Sequence, residues 1–143
     1  MITTILVALD STPRAPGVLR LATEVAERFD ARLFLFRALA LAQAFPAAAS
    51  NAGVPDALPA FLRQEALDEL AALARGNPRA SAAPPILVVA PPVLAILEAA
   101  ERIGADLIVL GSHGFHGLDR LLGTTTGSVA NRARHHVLIV HEN

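Results

Sequence analysis

Five short apolar runs divide this chain, and they restrict its possible folds more than any other feature. Each run has the length of a buried β-strand and is rich in Val, Ile, Leu or Phe. Strands that are apolar along their length are typical of a parallel sheet covered by helices on both faces. The predicted strands are 4–9, 32–38, 85–89, 107–110 and 137–141.

Four segments between these strands have the spacing of amphipathic helices. In the first, Val18, Leu21, Val25 and Phe29 recur at intervals of three or four residues, which places them on one helical face. A strand, a helix and a strand in succession imply a right-handed crossover and parallel pairing. The predicted helices are 14–29, 58–75, 93–103 and 125–134, and residues 40–59 and 79–85 are predicted to be irregular connections.

Together these elements predict an α/β fold, a doubly wound five-stranded parallel sheet flanked by helices. At 143 residues, a single domain spanning 1–143 is the default expectation. Apolar residues make up 53% of the chain and aromatic residues only 4%. Small side chains must therefore pack the helices closely onto the sheet.

Composition narrows the classes of function. The net charge is −1 and no basic block is present, which argues against a nucleic-acid-binding surface. Cysteine is absent, so disulfides, thiol catalysis and zinc–cysteine sites are excluded. The N-terminus lacks the basic and apolar regions of a signal peptide, and no apolar stretch reaches transmembrane length. We therefore expect a cytoplasmic protein without nucleic-acid or membrane partners.

The stretch after the fourth predicted strand combines glycines with a run of threonines. Gly111 and Gly114 follow the strand, and Gly123 leads into residues 124–126 at the start of a predicted helix. Glycines let backbone N–H groups approach an anion closely. Threonine hydroxyls at a helix N-terminus add donors to the N–H groups there and to the positive end of the helix dipole. The pattern predicts a phosphate-binding loop.

Two common phosphate motifs do not occur in the sequence. The chain contains no lysine, so a Walker-type P-loop is excluded. Gly111, Gly114 and Gly117 form G-x-x-G-x-x-G rather than G-x-G-x-x-G, and they follow the fourth strand, whereas the dinucleotide fingerprint opens its fold. An ordinary strand-to-helix loop therefore stays an alternative to a phosphate site.

Polar and small residues also follow the first two predicted strands. In doubly wound sheets, ligands bind beyond the C-terminal ends of the strands, where the winding reverses. The relevant tips are 8–12, 38–39 and 110–114, and they face one crevice if the first and fourth strands are neighbours. Asp10 is a candidate acceptor for a ribose or an adenine amino group, and capping of helix 14–29 is its alternative role.

These segments together resemble the universal stress proteins of the UspA superfamily, in their single-domain form. The resemblance extends over essentially the whole chain and is weakest across 40–85. It implies a Rossmann-like sheet similar to that of the adenine nucleotide alpha hydrolases. The residues that carry it are 5–10, 88–92, 104–114, 117–124 and 137–140.

Nucleotide-binding members of that family carry G-x2-G-x9-G-[ST] after the fourth strand. Gly111, Gly114 and Gly123, followed by Thr124, fit this motif with one residue fewer before the third glycine. The resemblance implies that ATP binds, with Mg²⁺ or Mn²⁺ as a companion, although no dedicated carboxylate cluster for a metal is evident. The residues assigned to the nucleotide are Ala8, Asp10, Ser11, Ala38, Leu110, Gly111, His113, Gly114, Gly123, Thr124, Thr125 and Thr126.

The resemblance also implies a homodimer formed through the last strand. Residues 137–141 are largely apolar and would otherwise form an exposed edge of the sheet. Pairing with the same strand of a second copy therefore has a physical reason.

No catalytic residue is predicted. Ser112 does not lie in G-x-S-x-G, and no Asp, Glu or Ser is placed to activate His113 as a proton-transfer group. His135 and His136 are interpreted as surface residues. The favoured function is an ATP-binding stress-response or signalling module with no or very slow hydrolysis. The alternatives are a dimeric interaction module with a vestigial nucleotide site, and a weak ATPase or phosphatase.

Overall fold

The computed structural model describes residues 1–39, 60–112 and 124–141. Predictions about the connection 40–59 and about His113, Gly114 and Gly123 lie outside these residues. Within the described part, five parallel strands form one sheet, as the apolar runs predict. They are β1 Thr4–Ala8, β2 Arg32–Leu39, β3 Ile86–Val89, β4 Leu107–Gly111 and β5 His136–Val140.

The strand order places β1 at the centre of the sheet. The order is β3-β2-β1-β4-β5, so the chain winds outward from β1 in one direction and then returns to wind in the other. Ala8 pairs with Phe36 of β2 and with Leu110 of β4, which brings the C-terminal ends of these three strands to one edge. The fold class is therefore confirmed, and so is the adjacency of the first and fourth strands on which a shared crevice depends.

Helices α1 Ala15–Phe29, α2 Ala60–Ala74, α3 Pro78–Ser81, α4 Pro92–Ile103 and α5 Thr125–Arg132 lie in the described connections. The prediction of an irregular connection is wrong at α3. Asn77 caps this helix, because its side chain accepts a hydrogen bond from the Ala80 N–H at 3.1 Å. Pro78 fixes a helical φ at the first position. Four residues are too few to show a helical period, so the turn was not apparent from apolar spacing.

Two apolar layers hold the helices on the sheet. Ile5 and Val7 of β1 pack with Leu70 in the layer formed with α1, α2 and α3. Leu6 packs with Ile96 in the layer formed with α4 and α5. Alternate residues of β1 thus point to opposite faces, as the period of a strand requires. Among the helices of the described ranges, none is long and apolar enough to cross a membrane.

Helix α1 begins without a side-chain cap. Its N-cap residue is Arg14, whose side chain makes no capping hydrogen bond, and Pro16 lies in the first turn. The predicted capping role of Asp10 is therefore wrong, because its carboxylate bonds to Thr12 instead. The helix ends at Asp30, which adopts the left-handed conformation with φ of 51°.

Candidate functional site

A cleft of about 210 Å³ opens at the C-terminal ends of β1, β2 and β4. It lies at the edge where the sheet reverses its winding, the position at which doubly wound sheets bind ligands. The three strands provide its floor, and α4 and α5 provide its walls. The lining residues are Ala8, Leu9, Asp10, Phe36, Ala38, Pro92, Ile96, Leu110, Gly111, Thr125 and Thr126.

The floor of the cleft includes small side chains. Ala8 ends β1, and Ala38 lies next to the end of β2. Phe36 lies two residues before Ala38 and therefore on the same face of the sheet. On α4, Pro92 and Ile96 are about one helical turn apart and form an apolar wall. Because alanine side chains are small, they leave open space between the strand tips and α4.

The first turn of α5 forms a second wall. Thr124 is its N-cap residue, and the Thr124 hydroxyl accepts a hydrogen bond from the Gly127 N–H at 3.1 Å. The buried Thr126 hydroxyl donates to the carbonyl of Gly111 at 2.8 Å. The first N–H groups of a helix have no intrahelical partner, and the helix dipole adds partial positive charge there. This wall is therefore suited to an anion.

Asp10 forms a turn at the tip of β1. Its Oδ1 accepts hydrogen bonds from the Thr12 N–H at 3.0 Å and from the Thr12 hydroxyl at 2.6 Å. This pattern, a carboxylate bonded to the backbone two residues later, is an Asx turn. The Leu9 N–H donates to the Phe36 carbonyl at 2.8 Å, and Arg37 Nη2 donates to the Asp10 carbonyl at 2.9 Å. These two hydrogen bonds hold the turn against β2 at the point where β1 and β2 reach the cleft.

On the opposite face of the sheet, α1 closes over the tips of β1 and β4. Arg14 Nη1 lies 3.5 Å from the Ser112 carbonyl, to which it donates. A Cβ atom added at Gly111 would lie 3.0 Å from Cγ2 of Val18. Glycine at position 111 therefore lets α1 approach β4, a packing reason that is independent of any bound phosphate.

Most of the predicted nucleotide residues in the described ranges line one cleft. These are Ala8, Asp10, Ala38, Leu110, Gly111, Thr125 and Thr126. Ser11 is exposed and Thr124 is half-buried at the helix cap, and neither is among the lining residues. His113, Gly114 and Gly123 lie outside the part of the chain that the structure describes.

Leu9 belongs to the predicted tip 8–12, but Phe36, Pro92 and Ile96 line the cleft without having been predicted from the sequence. Two signals were available, because Phe36 shares a strand face with Ala38 and because Pro92 and Ile96 have the spacing of one helical turn. Sequence patterns do not reveal which helix lies beside which strand tip. Only the packing of α4 against β2 and β1 brings these residues to the cleft.

The adjacent histidines differ from each other. His135 Nε2 lies 3.3 Å from Glu101 Oε2, and the His135 side chain is 13% exposed. The prediction that His135 is a surface residue is therefore wrong, because the turn before β5 packs against α4. His136 is exposed, as predicted. Within residues 1–39, 60–112 and 124–141, no three His, Asp or Glu side chains are grouped as metal ligands.

At the N-terminal ends of the strands, opposite the cleft, Asp106 links the start of β4 to the start of β1. Its Oδ2 accepts hydrogen bonds from the Thr3 N–H at 2.7 Å, the Thr3 hydroxyl at 2.9 Å and the Thr4 N–H at 3.0 Å. The bond from the Thr3 N–H, followed by those from the Thr3 hydroxyl and the Thr4 N–H, lowers the pKa of Asp106. This carboxylate therefore has a structural role, away from the cleft.

Known proteins resemble this chain along nearly its whole length. The model of the universal stress protein family matches residues 1–141. Universal stress protein A homolog 2 of Coxiella burnetii (strain RSA 493 / Nine Mile phase I) is 36% identical over 140 residues, which cover 95% of this chain and 92% of that relative.

Solved structures show the same likeness. A universal stress protein crystallised in complex with cAMP has a TM-score of 0.65 and 29% identity to this chain, covering 98% of this chain and 97% of the other. The protein MJ0577 has a TM-score of 0.79 and 23% identity, covering 100% and 98%. The second likeness is one of fold.

Proposed function

Because the chain belongs to the universal stress protein family, we propose that it binds an adenine nucleotide, ATP in the first place, in the cleft described above. The observation that carries this proposal is the meeting of an apolar slot at Ala8 and Ala38 with the helix N-terminus at Thr125. A purine ring suits the slot, and a phosphate suits the helix N-terminus. A related protein's complex with cAMP supports the same ligand class.

In the proposed binding mode, the adenine and ribose lie over the strand tips. The base occupies the slot near Ala8, Ala38 and Leu110, between β1, β2 and α4. The ribose lies near Asp10 and Ser11, at the Asx turn. Asp10 Oδ1 accepts two hydrogen bonds from Thr12, and we propose that the turn formed in this way presents Asp10 and Ser11 to the ribose.

The phosphates extend toward α5 in this binding mode. Among the described residues, Gly111 and Thr125 border their path, and His113, Gly114, Gly123 and Thr124 complete the proposed set. The Thr126 hydroxyl donates its proton to the Gly111 carbonyl. We therefore assign the direct hydroxyl contact to Thr125, and to Thr126 the support of the wall.

We propose further that nucleotide occupancy, rather than a reaction product, is the output of this protein. ATP, accompanied by Mg²⁺ or Mn²⁺, is held with no or very slow hydrolysis, and the module acts as a single cytoplasmic domain in a stress response or in signalling. The cleft carboxylate among the described residues, Asp10, supports this reading, because its bonds to Thr12 commit Oδ1 to the turn. Multiple-turnover phosphate release would instead identify a weak ATPase or phosphatase.

The test is binding to the purified chain. Denaturing protein prepared without added nucleotide, followed by mass spectrometry of the released small molecules, identifies any bound ligand. Calorimetric titrations of ligand-free protein with ATP, cAMP and GTP then rank the adenine nucleotides against a guanine control. Saturable binding of ATP or cAMP with weaker GTP binding is expected. Failure of both adenine nucleotides to bind would overturn the proposal.

A substitution in the slot tests where the base of the ligand binds. Ala38→Leu fills the slot, and we expect its ATP affinity to fall at least about tenfold because the base then clashes with the added side chain. Ala83→Leu is the matched control, since Ala83 is also half-buried and does not line the cleft. Equal affinities of the two variants would contradict the proposed binding mode.

A second candidate function is that of a dimeric interaction module. The observation that favours it is β5, which ends the sheet while Val137, Leu138 and Ile139 are only half-buried. We propose that residues 137–141 pair with the same strand of a second copy. Because β5 lies on the far side of β4 from β1, such a dimer is compatible with an occupied cleft.

A further inference from the structure

Arg37 is a buried charge in an otherwise apolar strand. It lies in β2 between Phe36 and Ala38, both of which line the cleft, and the residue is only 4% exposed. Since neighbouring residues of a strand point to opposite faces, the Arg37 side chain lies on the face of the sheet that α1 and α2 cover. A buried guanidinium is rare unless its donors are bonded.

The guanidinium bridges two elements. Arg37 Nη2 donates to the Asp10 carbonyl at 2.9 Å, and Nη1 donates to Glu69 Oε2 of α2 at 2.5 Å. The Nε atom is buried and has no hydrogen-bond partner among the described residues. The planar fork of arginine allows two acceptors to be held in a fixed relative position.

Stability alone does not account for this arrangement. Removing a guanidinium from water costs free energy, and an ion pair contributes little stability when one partner stays solvated. The Glu69 side chain is 46% exposed, so the pair is screened by water. The arrangement has a more specific geometric effect. The hydrogen bond from Arg37 fixes the carbonyl of Asp10, and the turn at Asp10 borders the cleft.

Arg37 continues a connection that the backbone begins. The Leu9 N–H donates to the Phe36 carbonyl at 2.8 Å. One residue further along each of these two segments, the Arg37 side chain donates to the Asp10 carbonyl. The Arg37 side chain thus joins β2 to the segment after β1, at the point where that segment enters the Asx turn.

We propose that Arg37 is a positioning residue of the cleft, which acts through the Asp10 carbonyl to hold the turn at residues 10–12 in the orientation that the ligand meets. The expected effect of Arg37 on ligand affinity rests on the proposed function, whereas its expected effect on the conformation of the turn does not. Glu69 holds the outer end of the guanidinium and so links α2 to the same turn.

The experiment compares Arg37→Met with Arg79→Met. Arg79 is a matched control, because it also donates to one backbone carbonyl, that of Ala31, and to one carboxylate, that of Asp30. It acts at the start of β2, away from the cleft. Amide hydrogen exchange at Leu9 and Thr12 reports on the turn without any ligand, and ATP titration reports on the cleft.

We expect Arg37→Met to speed exchange at the Leu9 and Thr12 amides about tenfold and to weaken ATP binding about tenfold, the change that corresponds to one hydrogen bond from a charged donor. Arg79→Met is expected to leave both quantities unchanged. Equal exchange rates at the turn in the two variants would overturn the proposal. If the parent chain binds no ATP, the proposed function fails, and the exchange rates alone decide the role of Arg37.

Should Arg37→Met fail to fold, Arg37→Lys keeps the charge and the apolar stem but replaces the fork by one nitrogen. It is then expected to change exchange and affinity in the same direction by a smaller factor, and parental values for both would again overturn the proposal.

Discussion

The hydroxyl of Thr126 donates a hydrogen bond of 2.8 Å to the backbone carbonyl of Gly111. Thr126 is 1% exposed and lies in the first turn of α5, and Gly111 is the last residue of β4. The bond therefore joins the positive end of the helix to the strand tip at the cleft. It gives one of the three adjacent threonines a structural role that differs from that of a ligand contact.

Removing this hydroxyl tests its contribution. Thr126→Val keeps the shape of the side chain but leaves the Gly111 carbonyl without its donor, and we expect the free energy of unfolding to fall by about 2 kcal/mol. Urea denaturation measures this change. Thr126→Ser is the control, because it keeps the donor, and it should lose less than Thr126→Val. The reverse order would show that methyl packing, rather than the hydrogen bond, holds α5 to β4.

The close approach of α1 to β4 predicts a clash at Gly111. In Gly111→Ala the new Cβ would lie 3.0 Å from Val18 Cγ2, and Val18 has little freedom to move because it is β-branched and buried in a helix. We expect a loss of stability of about 1–3 kcal/mol, as for other overpacked cores. Chemical denaturation of Gly111→Ala, with the parent as reference, measures it.

The partner substitution provides the control. Val18→Ala alone leaves a cavity, but in Gly111→Ala/Val18→Ala the added methyl group has space, so the double variant should lose less stability than the sum of the single losses. Strict additivity would mean that the two side chains do not meet.

Asp106 predicts a dependence of stability on acid pH. Hydrogen bonds from Thr3 and Thr4 lower its pKa below the ordinary value of 3.8, so the folded state favours the ionised form. The stabilisation is fully present above that ordinary value and is lost as the pH falls through the lowered pKa. Asp106→Asn should therefore be less stable than the parent at neutral pH, and the difference should shrink below about pH 3.8.

Urea denaturation of both proteins across the acid range makes this comparison. Asp68→Asn is a suitable control, because Asp68 is an exposed carboxylate on α2 that accepts a hydrogen bond from Gln64 rather than from strand N–H groups. A parent–Asp106→Asn difference that stays constant with pH would argue against the role assigned to this carboxylate.

The geometry of β5 identifies a variant for the proposed dimer. The His136 N–H donates to β4 and the Val140 carbonyl accepts from it, so in a parallel ladder His136, Leu138 and Val140 direct their backbone groups toward β4. Val137 and Ile139 then direct theirs outward. Ile139→Pro removes one outward N–H without removing a β4–β5 bond, and should convert a dimer to a monomer in light scattering.

Ile139→Thr is the control for this change, because it keeps the N–H and the β-branched shape. It should remain dimeric. A parent chain that is monomeric at all concentrations would contradict pairing through β5, and a dimeric Ile139→Pro would place the interface elsewhere.

Much of the fold was predictable because burial leaves a local trace in the sequence. The apolar run at 107–110 and the spacing from Val18 to Phe29 identify a strand and a helix without knowledge of their neighbours. The order of elements does not state which strands are neighbours, and the structure supplies the reversal of winding between β1 and β4. That reversal brings Ala8, Ala38 and Leu110 together at the C-terminal ends of their strands.

Polar contacts were the part that the sequence left open. Arg37 was visible as a charge inside an apolar strand, yet its acceptors, the Asp10 carbonyl and Glu69, come from β1 and α2. Asp10 matched a helix cap by residue type, but its carboxylate bonds Thr12 in a separate turn.

The sequence by itself determined the α/β elements, their parallel pairing and the strand tips that would meet a ligand if the first and fourth strands were neighbours, since apolar periodicity reports burial residue by residue. The tertiary structure alone decided that Thr126 bonds Gly111 while Thr125 lines the cleft, and that Arg37 holds the Asp10 turn. A hydrogen bond depends on donor and acceptor meeting within about 3 Å. That distance is set by how helices and strands from separate parts of the chain pack together.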